Sequence, residues 1–182
     1  LEEELVGISV HEPDRLGNDH VGVLLPSLAT IVKQMPSWAP TQFLVEIKTE
    51  SIEHFGREQI KRHLFEVLDP VLGQCILISY DLEILKIFKN YRSCKTGFVM
   101  TQWAQDELDK AAAASVEYFI CNYTKIPQSF VRFGDYPWQW VVYEIIDPAQ
   151  ALALAASGIQ MIETMNIKEM LHHPELSRGA CR

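Results

Sequence analysis

The chain alternates between short apolar runs and longer stretches in which apolar residues recur every three or four positions. The short runs lie near 44–48, 75–80, 96–100, 116–121, 140–145 and 159–164. Runs of this length that are rich in Val, Ile and Phe are typical of strands, and the spaced pattern between them is typical of amphipathic helices. The sequence therefore predicts six strands, each followed by a helix or a helix-like segment.

The predicted helices begin at residues that favour a helix start. Ser27 precedes an apolar stripe, Asp81 follows the second predicted strand, and Asp147 is followed by Pro148 at the first helical position. A short polar side chain caps the free backbone N–H groups of a helix start, and proline is tolerated there because it lacks that N–H. The helix predicted for 57–69 has one apolar stripe and ends before a proline. The first 23 residues are acidic and irregular and are predicted to form a surface segment.

Strands separated by single helices favour an α/β fold with parallel strands. A complete (β/α)8 barrel takes about 250 residues, and a doubly wound sheet needs fewer. No glycine-rich phosphate loop follows any predicted strand, which weighs against a dinucleotide-binding sheet. Polar residues instead occupy the carboxyl ends of the predicted strands, where barrel enzymes place their sites. These are Lys48, Ser79, Tyr80, Asn122 and Thr164.

The first predicted strand carries an acid and a base two positions apart. Because side chains alternate along a strand, Glu46 and Lys48 point the same way as Leu44. Burying such charges costs several kcal/mol per ion unless they pair or bind a ligand. Three interpretations stay open: a solvated edge strand with an exposed ion pair, a buried salt bridge, and a functional site.

Composition restricts the classes of function. The 182 residues are 48% hydrophobic, and 16 basic against 24 acidic residues give a formal net charge of −8. This charge provides no electrostatic footprint for nucleic acid or an anionic membrane, so a small ligand or a protein partner is favoured. The apolar run at 149–162 is too short and interrupted to span a bilayer.

The cysteines favour a reducing compartment. The four cysteines form no Cys-x-x-Cys pair, and Cys75 and Cys121 lie in apolar strand-like runs. They are predicted to be reduced core residues, which favours a cytoplasmic location.

An irregular loop late in the chain is rich in aromatic residues, namely Phe130, Phe133, Tyr136, Trp138 and Trp140. Two interpretations stay open: this aromatic cluster forms the rim of a ligand site, or it forms a contact patch between subunits of a homo-oligomer.

Several motifs, taken in order, resemble those of the glycerophosphodiester phosphodiesterases. They are Leu-Pro-Ser-Leu at 25–28, Leu-Val-Glu-Ile-Lys at 44–48 and Leu-Ile-Ser-Tyr-Asp at 77–81. In that family a Pro-Thr-Leu helix precedes a Glu-Ile-Lys strand and then a Ser-Phe-Asp turn. The segments 142–148 and 158–164 are similar to the family's closing Trp-Thr-Val-Asn and Gly-Val-Asp-Gly-Ile-Ile-Thr-Asp patterns.

The resemblance implies a (β/α)8 TIM-type barrel that hydrolyses glycerophosphodiesters to glycerol 3-phosphate and an alcohol, with a bound divalent cation, Mg or Ca. Glu46 would be a metal ligand, and Lys48 would be the catalytic residue that contacts the phosphate. These residue types suit the roles, because a hard cation takes carboxylate oxygen and an ammonium offsets phosphoryl charge. Tyr143 would replace the family's substrate-stacking tryptophan, with core packing or an inward-pointing Glu144 as alternatives.

The chain also departs from the family pattern. The family's first two strands carry His-Arg-Gly, Glu-x-Asp and a second His-Asp, and these motifs have no counterpart before Leu25. We therefore expect residues 1–182 to form one partial barrel domain with strands three to eight, inactive by itself. The alternative function is a non-catalytic barrel that binds a phosphorylated ligand or a protein partner.

Overall fold

A single sheet of six parallel strands organises the computed structural model, which describes residues 26–130 and 133–177. The strands are β1 (Phe43–Ile47), β2 (Cys75–Ser79), β3 (Lys95–Val99), β4 (Tyr118–Asn122), β5 (Gln139–Tyr143) and β6 (Met161–Ile162). Each strand pairs with the next in sequence, so the order is β1-β2-β3-β4-β5-β6. A doubly wound sheet reverses its strand order, whereas a (β/α)8 barrel does not. The predicted partial barrel is therefore confirmed.

The described residues form eight α-helices, and five of the strands are followed directly by one of them. They are α1 (Leu28–Val32), α2 (Thr49–Phe55), α3 (Arg57–Leu68), α4 (Leu82–Tyr91), α5 (Gln105–Ala114), α6 (Pro148–Ala156), α7 (Ile167–His172) and α8 (Pro174–Ser177). The side chains of Ser27, Asp81 and Asp147 accept hydrogen bonds from the first-turn backbones of α1, α4 and α6. The surface segment predicted for 1–23, together with Leu25, lies outside the described residues. Within the described part, no helix is long and apolar enough to cross a membrane.

The sheet separates two apolar layers. The outer layer packs the helices against one face of the strands and contains fully buried residues such as Leu77, Phe88 and Phe119. The inner layer covers the opposite face and consists of Ile76, Ile78, Val99, Tyr118, Ile120 and Val141. Buried parallel strands are apolar on both faces, which explains why these runs read as continuously hydrophobic.

The inner layer has no room for a side chain at Gly97 on β3. A Cβ atom at this position would lie 2.6 Å from the Ile120 Cδ1 atom and 3.0 Å from the Ile78 Cγ2 atom. The glycine therefore lets the large side chains of β2 and β4 meet in front of β3.

The aromatic cluster forms core, so both of its sequence-based interpretations are wrong for its central members. Phe133, Trp138 and Trp140 are at most 4% exposed and belong to the outer layer. The Trp140 Nε1–H group donates to the Phe133 carbonyl oxygen at 2.8 Å. Trp140 lies on the helix-facing side of β5, whereas Val141 faces the inner layer. Sequence reasoning failed because a strand buried on both faces carries no polar residue to distinguish core from rim.

The last strand is shorter than the predicted 159–164. Before β6, a side chain takes the place of a backbone acceptor. The Gln160 Oε1 atom accepts from the Trp140 N–H group of β5 at 2.8 Å, so the regular backbone pairing begins only after Gln160. Beyond β6 the Glu163 N–H group still donates to the Val142 carbonyl at 2.9 Å. The extended pairing therefore continues irregularly past the two residues that form the regular strand.

Candidate functional site

Four side chains gather where the parallel strands end, and we call them the rim cluster: Glu46, Lys48, Tyr80 and Tyr143. Glu46 lies in β1, Lys48 and Tyr80 directly follow β1 and β2, and Tyr143 ends β5. Tyr80 and Tyr143 pack against the inner layer, as does Leu44, two residues before Glu46. Because all the strands are parallel, their carboxyl ends share one edge of the barrel wall.

The acid and the base of β1 form an ion pair, with the Lys48 Nζ atom 2.8 Å from the Glu46 Oε1 atom. The Lys48 side chain is 61% exposed and that of Glu46 is 28% exposed, so the interpretation as a buried salt bridge is wrong. The hydrogen bond to Glu46 raises the pKa of Lys48 and keeps it charged. An exposed pair of this kind contributes only about 0–1 kcal/mol to stability. Its position on the rim is therefore not explained by a stabilising role.

The backbone fixes the position of Lys48. Its carbonyl oxygen accepts hydrogen bonds from the N–H groups of Ser51 at 3.1 Å and Ile52 at 3.2 Å, at the start of α2. The chain thus passes from strand to helix at Lys48, and the root of the ammonium-bearing side chain is held at the end of β1.

Tyr143, not Glu144, faces the barrel interior. Its ring packs against the inner layer, as does the ring of Tyr80. Burial, followed by the contact with Tyr80, raises the pKa of Tyr143, so the phenol stays protonated. Glu144 has a left-handed backbone with φ 67°, and its Oε2 atom accepts from the Asn122 Nδ2 atom at 2.6 Å. The change of direction at Glu144 ends β5 just after Tyr143.

The other three polar strand ends are structural. Ser79 is fully buried, and its hydroxyl donates to the Ile47 carbonyl at 2.8 Å and accepts from the Asp81 N–H group at 3.1 Å. The Thr164 hydroxyl accepts from the Asn166 N–H group at 2.9 Å, which fixes the turn into α7. Asn122 caps its own turn by accepting from the Thr124 N–H group at 2.9 Å.

Asp81, which follows Tyr80, is also held by structural contacts. Burial alone would raise the pKa of Asp81, but the hydrogen bond from Arg57 and the helix-capping bond from the Ile84 N–H group lower it overall. The Ser-Tyr-Asp turn therefore places a free side chain on the rim only at Tyr80.

A divalent cation would need more ligands than this part of the chain brings together. Mg²⁺ and Ca²⁺ take about six or more oxygen ligands. Within 26–130 and 133–177, no three His, Cys, Asp or Glu side chains are grouped so that they could hold a metal ion. The described residues alone therefore do not fit a complete cation site, and Glu46 is the rim carboxylate that could contribute to one.

Comparison with known proteins gives similarity of structure without similarity of sequence. The chain matches no protein-family model and no curated protein. A glycerophosphodiester phosphodiesterase from Parabacteroides distasonis superposes with a TM-score of 0.72 at 15% identity, covering 93% of this chain and 78% of that chain. A phosphodiesterase from Oleispira antarctica, in complex with the product sn-glycerol 3-phosphate, gives 0.70 at 12% identity, with coverages of 91% and 65%.

A more distant structure is a Bacillus subtilis protein with an EAL domain, in complex with its substrate c-di-GMP and calcium. It gives a TM-score of 0.56 at 12% identity and covers 76% of this chain and 39% of that one. Identities this low show the fold alone. They confirm the resemblance to the glycerophosphodiester phosphodiesterases at the level of the barrel, of which this chain spans a part.

Sequence reasoning identified three members of the rim cluster and gave the fourth no role. Tyr80 was visible only as one of several polar strand ends. The signal that could have found it is parity, because Tyr80 lies two residues after Ile78 and so points inward, whereas Ser79 points to the helices. Of five polar strand ends, the structure brings only Lys48 and Tyr80 into the cluster.

Proposed function

We propose that this chain is part of a phosphoric diester hydrolase that converts glycerophosphodiesters to glycerol 3-phosphate and an alcohol. The observation that carries the proposal is the Glu46–Lys48 pair, which stands at the carboxyl edge of a parallel barrel wall with little structural use. The fold likeness to glycerophosphodiester phosphodiesterases supports it, as does the glycerol 3-phosphate bound in one of those neighbours.

In this proposal Lys48 binds the phosphoryl group. Its ammonium has three N–H donors, and Glu46 is its one partner among the described residues. The remaining donors point into an exposed region and are able to contact phosphoryl oxygens. A fixed positive charge stabilises the negative charge that develops on those oxygens in the transition state.

Glu46 is proposed as one ligand of a divalent cation, Mg or Ca. Its Oε1 atom contacts Lys48, and within the described part of the chain no other group bonds to its Oε2 atom. Further ligands and the general acid and base would have to come from residues outside the described ranges. General acid–base groups are worth about 10²–10⁴-fold in rate, so we expect residues 1–182 alone to show no turnover.

Hydrolysis of glycerophosphocholine tests the proposal. The polypeptide encoded by the native reading frame, including sequence upstream of Leu1, should release choline in the presence of Mg²⁺ or Ca²⁺, and residues 1–182 alone should not. Robust turnover by residues 1–182 would contradict the expectation that this part of the barrel is inactive by itself. An upstream sequence without histidines, or a full product without activity, would support the alternative.

That alternative is a non-catalytic barrel that binds a phosphorylated ligand or a protein partner. The absence of a three-ligand metal group within the described ranges favours it. It predicts that glycerol 3-phosphate binds at Lys48 while no glycerophosphodiester is cleaved.

We further propose that the protein acts in lipid metabolism in the cytoplasm. Burial raises the pKa of the Cys75 thiol to about 11 and that of the Cys121 thiol to about 12, so both stay protonated and unreactive. Both cysteines are free and buried, as the sequence predicted, while Cys181 lies outside the described residues.

A further inference from the structure

We propose that Glu144 is a positioning residue, which acts with Asn122 to hold the Tyr143 side chain at the mouth of the barrel wall. The inference rests on the proposed function, because it assigns the support of Tyr143, the residue expected to form the aromatic wall of the same site. Three observations carry it: the side-chain directions along β5, the backbone of Glu144 and the hydrogen bonds of Asn122.

The alternation of side chains along β5 changes at Glu144. Val142 faces the helices, whereas Val141 and Tyr143 face the inner layer. Regular alternation would turn Glu144 toward the apolar residues beneath the helices. Instead Glu144 is exposed, and the fully buried Ile145 joins the helix-facing layer. The alternation therefore shifts by one residue at Glu144, as it does at a β-bulge, and Tyr143 becomes the last inward-facing residue of the strand.

The backbone of Glu144 is strained, because its φ of 67° lies in the left-handed region that favours glycine. Within the described residues, the other non-glycine residue with a positive φ is Ser115, with 52°. Ser115 ends α5, where a left-handed residue is common. Glu144 ends no helix. Strain of this kind persists where surrounding contacts enforce it, and it is concentrated at functional sites.

Asn122 supplies the contact that holds Glu144. It is the last residue of β4 and lies opposite Tyr143 in the strand register. Its Nδ2 atom donates to the Glu144 Oε2 atom at 2.6 Å. Its Oδ1 atom accepts from the Thr124 N–H group at 2.9 Å and from the Thr124 hydroxyl at 2.7 Å, so the orientation of the amide is fixed. The residue after Tyr143 is thereby tied to the end of β4, while the Tyr143 ring rests on the inner layer.

Fluorine NMR on the product of the native reading frame, labelled with 3-fluorotyrosine, tests the inference, and Tyr143→Phe identifies the Tyr143 signal. Asn122→Asp removes the amide donor, keeps an oxygen that accepts from Thr124 and places a second carboxylate beside Glu144. We expect it to move the Tyr143 signal. Glu144→Gln keeps an oxygen that accepts from Asn122, so it should leave the signal in place.

The double variant Asn122→Asp with Glu144→Gln exchanges donor and acceptor between the two positions. The new glutamine amide is able to donate to the new aspartate, so the hydrogen bond across the two strand ends is restored with its polarity reversed. We expect the Tyr143 signal to return to its position in the unaltered protein. A role of Asn122 that is confined to its own turn does not predict this recovery.

Glu144→Gly separates positioning from stabilisation. Glycine adopts a φ of 67° without strain, so the melting temperature should stay unchanged or rise by about 2–4 °C. The Tyr143 signal should nevertheless move. An aromatic contact is worth about a 2- to 10-fold change in affinity, so KM for glycerophosphocholine should rise by that factor at unchanged kcat. A residue that only stabilises the fold would lower the melting temperature instead. In a Tyr143→Ala background Glu144→Gly should raise KM no further, because Glu144 acts through Tyr143.

The outcomes separate this inference from the proposed function. A Tyr143 signal that stays in place in Asn122→Asp and Glu144→Gly, or that does not recover in the double variant, overturns the inference and leaves the proposed function standing. A KM increase that Glu144→Gly still causes in the Tyr143→Ala background also overturns it, because Glu144 would then act on the ligand directly. If the unaltered protein shows no turnover, the proposed function fails, and the Tyr143 signal alone decides whether Glu144 positions this side chain.

Discussion

The two ends of the sheet each carry a lysine–glutamate pair, and the pairs differ in how many other groups they contact. At the amino-terminal end the Lys89 Nζ atom lies 2.6 Å from the Glu117 Oε1 atom. The Glu117 Oε2 atom accepts from the Thr96 N–H group at 2.8 Å and from the Thr96 hydroxyl at 3.0 Å. Lys89 also donates to the Ser115 carbonyl oxygen. Every charged group of this pair is therefore engaged within the protein.

At the carboxyl-terminal end, the charged groups of Glu46 and Lys48 pair with each other and, within the described residues, form no other hydrogen bond or ion pair. The chemistry is the same at both ends, but only this pair keeps donors and acceptors for a ligand. Barrel enzymes use the carboxyl-terminal face for catalysis and the opposite face for stability. The pair with spare hydrogen-bonding capacity lies at the face that barrel enzymes use for catalysis, and the fully bonded pair lies at the face that they use for stability.

The largest expected effect is loss of turnover in Lys48→Met, measured on the product of the native reading frame. Removing a charge that stabilises a transition state typically costs about 10²–10³ in rate. Lys89→Met is the matched control, since it removes the same group from the other end of the sheet. It should reduce thermal stability and leave the rate per folded molecule unchanged. Equal rate losses in the two variants would show that Lys48 has no role in turnover that Lys89 lacks.

Gly97→Ala should destabilise the inner layer that joins the two ends. The added methyl group would lie 2.6 Å from the Ile120 Cδ1 atom, and overpacking of this kind costs about 1–3 kcal/mol. Gly73→Ala is the control, because a Cβ atom there meets nothing within 4 Å. Urea unfolding measures both variants. Equal urea midpoints for Gly97→Ala and Gly73→Ala would show that the inner layer adjusts to the added methyl group.

The sequence predicted most of the fold and part of the site, and the physical reasons can be stated. Apolar runs located β1 to β5 within two residues, because a buried parallel strand must be continuously hydrophobic. The same property made the burial of Trp138 and Trp140 unpredictable, since a run that is apolar on both faces does not show which residues face the helices. The spacing of Glu46 and Lys48 gave their common face, but their exposure depends on what covers the edge strand β1.

Glu117→Gln should cost about 1–2 kcal/mol of unfolding free energy. Hydrogen bonds to a charged group are worth about 1.5–3 kcal/mol when buried, and the partial exposure of Glu117 reduces that value. The new amide would also turn a donor toward either Lys89 or Thr96. A melting temperature equal to that of the unaltered protein would mean that the Lys89–Glu117 pair does not stabilise the fold.

The same variant has a pH signature. Burial alone would raise the pKa of Glu117, but the bonds from Lys89 and Thr96 lower it overall from the ordinary value of 4.5. A lowered folded-state pKa stabilises the protein above the unfolded-state pKa, and this contribution is lost as the pH falls through the folded-state value. The stability difference between Glu117→Gln and the unaltered protein should therefore be full at pH 7 and shrink below about pH 4.5.

The smallest expected effect on stability belongs to Glu46→Gln, because an exposed pair contributes only about 0–1 kcal/mol. Its effect should appear instead in the cation titration of the native-frame product. Losing one ligand weakens a hard-cation site, and mass action refills it, so a higher Mg²⁺ or Ca²⁺ concentration should restore part of the activity. Added cation should not rescue Lys48→Met, since a free ion does not replace an ammonium held at a fixed position. If Glu46→Gln instead melts several degrees lower and its cation titration is unchanged, Glu46 and Lys48 form a structural ion pair and Glu46 is not a cation ligand.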